Sequence, residues 1–508
     1  MSTPSVVLRK LGGLLVVDQL TDELQRLLER TLSYNRLVLD RTRPKRGRQL
    51  RPIDCFCYVH DPQQQFPPQF MCGAGYAYKL SRALRAAGYD VRFQDSQPPA
   101  DPTIFTPCWD RLPKLAWRYK QRYCLEQLLK RNYGRIDCPV GYGKSFLLRL
   151  IPRLLPRAKI AITTASVDVL TAIHTALAQD FPDVGIHTHK HRQRGRRINC
   201  YSLKSLGHCQ EPVDLVLVDE HYEAATDDNM QLLMGAGVRD ARKYGFGDNA
   251  EDRADQAHFE LEGILGPVVV NIPYEEAVAR KVVVPLQVRW VDVVADRDPG
   301  AALQHPVAIE RAAIWRNSYR NQRIAAVARS FPPGEQVLIT VFSLEHGLRL
   351  RKLLPEYTLC YADGAFQSPA DKEKLARYLQ WGLMDSSEEL MTWQRREQLR
   401  QAFEAGTLQK VIATGVWKRG VDFRRLSVLI RADAHSSTIE NTQIPGRTSR
   451  LCDETGKQFG LIVDFRDQFS KKYRAEARKR RADYASHGWQ QFNESSETQR
   501  QRCLQFEY

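Results

Sequence analysis

The stretch VDLVLVDEHYEAA (Val213–Ala225) runs through an almost unbroken series of aliphatic residues and ends on two acids and a histidine. An apolar segment of this length, without alternation, reads as a strand inside a parallel sheet that is covered on both faces. In open sheets of that kind ligands gather outside the carboxyl ends of the strands. Asp219 and Glu220 therefore stand where a ligand would sit, unless the stretch is only a strand followed by a solvated acidic turn. Other parts of the chain decide between the two.

The first is RIDCPVGYGKS (Arg135–Ser145). A phosphate-binding loop needs a strand, glycines that let backbone N–H groups face an anion, a lysine for the outer phosphates and a hydroxyl for magnesium. Here Gly141 and Gly143 flank Tyr142, and Lys144 and Ser145 open a helix, while Cys138 stands in place of the usual first glycine. Paired with the acidic strand end, the loop reads as a nucleotide site. Lys144 and the loop amides take the phosphates, Ser145 and Asp219 share the metal, and Glu220 polarises the attacking water. Further on, VIATGVWKRGVDF (Val411–Phe423) precedes NTQIPGRTSR (Asn441–Arg450), which sets Gln443, Gly446, Arg447 and Arg450 in the spacing Gln-x-x-Gly-Arg-x-x-Arg. Arginines that face a triphosphate from another domain stabilise the charge that develops in phosphoryl transfer.

At 508 residues the chain is too long for one core, and three domains are expected. A formal charge of +16 and a pI near 9.3 point to a polyanionic partner, nucleic acid before any other. No segment has the continuous apolar length that spans a bilayer, and the first residues do not read as a signal peptide. The eleven cysteines are scattered and never spaced Cys-x-x-Cys, as expected of reduced thiols in a cytoplasmic protein.

Helical and strand patterns alternate from Lys114 to Val294 and again from Glu310 to Phe469, which predicts two parallel α/β domains. The expected division is a basic N-terminal domain over 1–112, a first α/β domain over 113–300, a second over 301–488 and a tail over 489–508. Within the first of these, Arg36–Arg51 carries seven basic residues and one acid. YKLSRALRAAGYDVRF predicts a helix bearing Leu80 and Leu84, a stop at Gly88 and an alternating strand through Val91. HKHRQRGRR (His189–Arg197) offers Lys190, Arg192, Arg194, Arg196 and Arg197 for phosphate contacts, against a solvated loop as the plain alternative. KKYRAEARKRRADY predicts a basic helix. Trp417 and Trp489 read as core rather than as stacking platforms.

Taken together, the motifs make the chain resemble the superfamily 2 helicases of DEAD/DEAH type, and among them the phage-type members related to double-stranded-DNA-remodelling repair helicases, from about Trp117 to Trp489. The resemblance implies two tandem RecA-like parallel-sheet domains after a small mixed α+β domain, with ATP and Mg2+ as cofactors. It implies an ATP-dependent helicase or translocase acting on DNA, single-stranded or branched, with RNA as the alternative and a bacterial or phage-infected cell as the setting. Two other classes stay open: an ATP-gated DNA-binding or annealing protein, and the motor of a nuclease system.

The resemblance also assigns residues. Arg118 and Gln121 of WRYKQ match the adenine-recognition element. Gly420 and Asp422 fall in the nucleotide-contacting motif, with Asp422 near the ribose. Thr164, Ser343 and Thr414 match strand-contacting positions, and Arg450 is the better match to the arginine finger. The chain departs from the family pattern twice. The histidine expected at the position of Tyr222 stands one residue earlier, at His221, and the motif usually written Ser-Ala-Thr falls on Gly247, Asp248 and Asn249. That motif links nucleotide state to strand separation, so the departure bears on coupling.

Overall fold

The structure is a computed structural model that describes residues 4–39, 48–59, 68–96, 101–248, 256–417, 423–436, 441 and 444–494. The chain forms two compact units, one of Met1–Pro139 with Gly143–Pro273, the other of Val140–Tyr142 with Tyr274–Tyr508.

The first unit holds two sheets of different kinds. Its N-terminal sheet is mixed, in the order Phe56–Val59, Gln69–Gly73, Leu14–Val17, Ser5–Leu11, Asp90–Asp95. Only the last pair is parallel. Helices Asp22–Leu32 and Ala77–Ala86 supply Leu24, Leu28, Leu80 and Leu84 to a core with Leu8, Leu15, Val17 and Phe70. Thr21 starts the first of these helices by accepting from the Leu24 amide at 3.2 Å, and Asp22 and Glu23 favour its N-terminal dipole. Ser33–Leu39 and Arg48–Asp54 form a separate antiparallel pair. This region docks on helix His258–Leu265: the Tyr34 hydroxyl donates to Glu260 at 2.8 Å, Tyr76 to the Phe259 carbonyl at 2.5 Å, and Arg36 to Glu260 at 2.7 Å.

The large sheet of the first unit runs Arg192–Gln193, Gly185–His187, Ile198–Ser202, Ile160–Thr164, Leu215–Asp219, Arg242–Gly247, Tyr133–Asp137, Val268–Asn271. Every pairing is parallel except the first. Leu215–Asp219 is buried throughout and sits inside the sheet, as its aliphatic content requires, and Tyr133–Asp137, next to the far edge strand, is buried throughout as well. Arg242–Gly247 lies between them.

The second unit is built on a seven-stranded, wholly parallel sheet in the order Thr358–Cys360, Lys410–Ala413, Val337–Thr340, Val428–Arg431, Gly460–Asp467, Leu286–Val293, Gln490–Asn493. Two of these strands fall outside the expected 301–488 division. Leu286–Val293, at the end of the first alternating run, pairs with Gly460–Asp467, and Gln490–Asn493 adds an edge strand from the expected tail. Periodicity identifies a strand but not the sheet it joins, which depends on partners distant in sequence. The architecture is thus two parallel RecA-like sheets following a small mixed α+β sheet. Among the described residues no helix is long and apolar enough to cross a membrane.

Candidate nucleotide and nucleic-acid sites

The loop after Tyr133–Asp137 turns on Gly141 (φ 91°) and Gly143 (φ 108°), values that admit glycine and little else. Helix Lys144–Leu154 follows at once. Lys144 is buried and its ammonium donates to the Cys138 carbonyl at 3.2 Å. Burial alone would lower its pKa, but the carboxylates of Asp248, Glu220 and Asp219 outweigh that and hold it above the ordinary value. Ser145 is exposed at the head of the same helix. Gln121 is 3% exposed and its side-chain carbonyl accepts from the Arg118 amide at 3.0 Å. Its amide nitrogen lies 2.8 Å from where a Cβ on Gly143 would be, so the element assigned to adenine abuts the phosphate loop.

Asp219 closes the buried strand, and burial, followed by repulsion from Glu220, pushes its carboxyl up to about 7 against the pull of Lys144. Among the described residues its Oδ1 has no hydrogen-bond partner. A desolvated carboxylate of this kind fits a divalent cation that draws its remaining ligands from phosphate and water. Glu220 takes the left-handed conformation, φ 50° and ψ 51°, which a non-glycine residue adopts at a cost and which breaks the strand after Asp219.

The two departures from the family pattern meet in space. His221 is fully buried, with Nε2 3.3 Å from Asp137 Oδ1, and burial with the nearby Arg135 guanidinium keeps its pKa well below the usual value. A Cβ on Gly247 would lie 2.6 Å from its Cε1, and one on Gly245 would lie 3.1 Å from its Cγ. The displaced histidine thus occupies the room that glycines leave on the neighbouring strand. Tyr222 is buried as well, and burial, then Glu220 and Asp248, push its phenol upward. Asp248, which spacing alone presents only as part of a lost motif, is the leading carboxylate acting on Lys144.

The basic stretch His189–Arg197 divides. Lys190, Arg192 and Arg196 are exposed. Arg194 pairs with Glu211. Arg197 turns inward, donating to the carbonyls of Leu155, Ala158 and Pro152 at 3.1, 3.2 and 3.2 Å and lying 5.2 Å from the Phe181 ring. That guanidinium closes the C-terminus of the helix begun by Lys144. Thr164 is buried to 1%, and Ala165 is the exposed residue beside it.

In the second unit, Ser343 accepts from the Glu345 amide at 3.2 Å and caps helix Leu344–Leu353. Thr414 ends strand Lys410–Ala413, its amide donating to the Cys360 carbonyl at 3.1 Å. Arg447, Thr448 and Ser449 make a buried turn and Arg450 follows it. The segment is approached through a buried polar network. Arg431 donates to Asn441 and to the Tyr484 hydroxyl, each at 2.7 Å, and to Asp433 at 3.1 Å. Arg480 holds Asp464 at 2.9 Å, Tyr484 donates to Asp464 at 2.8 Å, and Asn441 donates to Asp483 at 2.6 Å. The basic helix Lys471–Ser486 is therefore partly internal, through Tyr473, Ala477, Arg480 and Tyr484. Trp417 and Trp489 are buried, as their sequence context predicts. Gly420, Asp422, Gln443 and Asn249 lie outside the described residues.

The chain matches the model of the helicase conserved C-terminal domain over residues 332–452. Its fold is similar to that of S. cerevisiae Dbp5 bound to RNA and ADP BeF3, at 13% identity and a TM-score of 0.52, over 77% of this chain and 93% of that one. The chain thus carries a match to the helicase C-terminal domain on a fold similar to that of a solved helicase-type structure. Solved structures similar to this chain also include T4 UvsW, at 13% identity and TM-score 0.41 over 97% and 99% of the two chains. A fragment of a putative HsdR subunit of a type I restriction enzyme from Vibrio vulnificus matches at 15% and 0.49 over 86% and 79%. No curated protein matches by sequence.

Proposed function

We propose that the chain is an ATP-dependent DNA helicase or translocase that couples hydrolysis to movement on, or remodelling of, single-stranded or branched DNA, with RNA as the alternative substrate. The observation that carries this reading is the grouping of one buried lysine with Asp219, Glu220 and Asp248 at the carboxyl edge of the first parallel sheet. A buried lysine facing three carboxylates suits a ligand that is itself a metal–anion complex. Lys144 and the amides of Gly141, Tyr142 and Gly143 are assigned to the phosphates, Ser145 and Asp219 to the metal, and Arg118 and Gln121 to the base. The metal, when bound, withdraws charge from the phosphates. Glu220 orients and deprotonates the attacking water. Gln443, Gly420, Asp422, Arg447 and Arg450 are assigned from their motifs to the same nucleotide. Lys190, Arg192, Arg194, Arg196, Ser343 and Thr414 are assigned to the strand, and the buried Thr164 and the inward-turned, half-buried Arg197 only through rearrangement of their side chains. The basic N-terminal domain is assigned to duplex recognition. The phage-type subgroup is retained on motif grounds alone.

A second reading is favoured by His221 lodged against Gly245 and Gly247, where the family carries a coupling motif: ATP gates DNA binding or annealing, with weak unwinding. Phosphate release measured with and without DNA separates the two. Stimulation by DNA supports the motor, and ATP binding without stimulated release supports the gate.

A further inference from the structure

The amino edge of the second unit's sheet, opposite the edge that carries Ser343 and Thr414, holds a cavity of about 810 Å3. Gln336, Gln409 and Ser427 line it just before strands Val337–Thr340, Lys410–Ala413 and Val428–Arg431, and helix Ser318–Arg329 forms part of its wall. Its charged lining sets Arg289, Arg323, Arg425 and Lys457 against Glu335 and Glu494, four cations to two anions.

The ordinary use of a cation at this edge is to satisfy main-chain carbonyls at strand starts and helix ends. Lys457 does so, donating to the Arg424 and Leu426 carbonyls at 2.8 and 3.0 Å. Arg289 and Arg323 are arranged differently. Both reach one carboxylate, Glu494, Arg323 in a hydrogen-bonded ion pair and Arg289 at 4.0 Å. The Arg289 guanidinium also lies 5.6 Å from the Phe331 ring centroid. The Glu494 main chain is tied to the sheet, its amide donating to the Trp290 carbonyl at 2.8 Å, but its side chain is 29% exposed. Two guanidinium groups thus hold an anion that the protein supplies itself and that rotation of one side chain removes.

A second observation comes from the cavity wall. Gln336 is 5% exposed, and its amide nitrogen donates to the Phe403 and Leu408 carbonyls at 2.5 and 3.4 Å. Its Oε1 has no hydrogen-bond partner among the described residues, and a buried amide oxygen calls for a donor. The volume falls in the range of small-molecule sites, about 300–1,000 Å3. Arginine forks match phosphate oxygens, and a dianion balances the surplus of positive charge. An acidic peptide would need an extended groove or a sheet edge rather than a cavity.

We propose that this cavity binds a phosphate-bearing small molecule of about mononucleotide size. Its phosphate sits between Arg289 and Arg323 in the place of the Glu494 carboxylate, its organic part lies against Val327, Phe331 and Leu461, and a donor group meets Gln336 Oε1. None of these residues belongs to the nucleotide loop, the acidic strand end or the positions assigned to the strand, so the site stands apart from the helicase reading.

The test is isothermal titration calorimetry on the full chain, wild type and Lys144→Ala, the latter lacking the phosphate-binding lysine of the nucleotide loop. The probes are inorganic pyrophosphate, ribose 5-phosphate and AMP, with adenosine as the phosphate-free control and a short polyglutamate peptide as the acidic-peptide control. At least one phosphate probe is expected to bind both chains, and adenosine and the peptide neither. R289Q/R323Q is expected to weaken that binding by roughly 10- to 100-fold, the range for a lost hydrogen bond to a charged group. Glu494→Gln, which removes the competing anion, is expected to tighten it by roughly 2- to 5-fold, the worth of a partly exposed ion pair. A purely structural ion pair would not improve a ligand's affinity when broken, so Glu494→Gln reads the site even where the double variant fails to fold. Failure of every phosphate probe, binding of the peptide in their place, or unchanged affinity in a folded Glu494→Gln chain would each overturn the proposal and leave the helicase reading intact.

Discussion

The two parallel sheets put opposite electrostatics on the same structural edge. At the carboxyl ends of the first, Lys144 is surrounded by Asp219, Glu220 and Asp248. At the corresponding edge of the second, Glu345 is surrounded by Arg311, Arg316 and Arg349. One fold thus carries a cation among carboxylates in one unit and a carboxylate among guanidinium groups in the other. The side chains at the strand ends decide which, because the backbone scaffold is common to both.

The acidic cradle is broken most severely at its base. Glu220→Gln is expected to lower the rate of phosphate release by about 10²- to 10⁴-fold, the usual contribution of a positioned general base. Nucleotide affinity, read by a fluorescent ATP analogue, should change far less, because the phosphates keep Lys144. The scaffold under the cationic unit is tested by Arg480→Met. Arg480 and Asp464 are both about 1% exposed, and removing one member of such a pair leaves a buried charge uncompensated, at about 3–5 kcal/mol. A fall of that size in denaturant unfolding, with a matching loss of activity, is the expected result.

Asp248 sharpens the comparison further. It is the leading carboxylate acting on Lys144, and on the proposed assignment of the metal to Ser145 and Asp219, Asp248→Asn is expected to weaken Mg2+ affinity by about 10- to 100-fold. An unchanged Mg2+ titration would reduce it to a bystander. The smallest effect concerns buried cations. Arg431 and Arg480 sit beside carboxylates that outweigh their burial, and both are held above the ordinary value. Lys243 is buried in the first unit with the Arg239 carbonyl at 2.6 Å, and burial takes it down to about 7 against the pull of Asp240, with Lys10 and Arg239 adding repulsion. Because this folded pKa lies below the unfolded one, the folded chain binds fewer protons than the unfolded chain between about 7 and 10.5, and its stability rises with pH across that window. Lys243→Met should therefore stabilise the protein at about pH 6.5 by more than at about pH 9, as read by melting temperature.

Much of this was open to sequence reading, for a physical reason. Leu215–Asp219 is recognisable because a strand buried on both faces is apolar almost throughout, and the phosphate loop because its backbone demands glycine at 141 and 143. The hidden parts depend on partners far away in the chain. Arg480 looks like one more charge in KKYRAEARKRRADY, and only Asp464 on a strand sixteen residues earlier makes its burial tolerable. Arg197 counts as a surface charge in a basic run until the carbonyls of Pro152, Leu155 and Ala158 are seen to take it. Asp248 is concealed within a motif that the chain lacks. Arg311, Arg316 and Arg349 have no common spacing, and Glu345, inside VFSLEHG, gives no hint that it gathers them.

The most direct test is phosphate release by the full chain with ATP and Mg2+, measured without nucleic acid and with single-stranded DNA, duplex, forked DNA and RNA. The expected result is a clear acceleration by at least one DNA form that vanishes in Glu220→Gln. Equal rates with and without every polynucleotide would contradict a nucleic-acid motor.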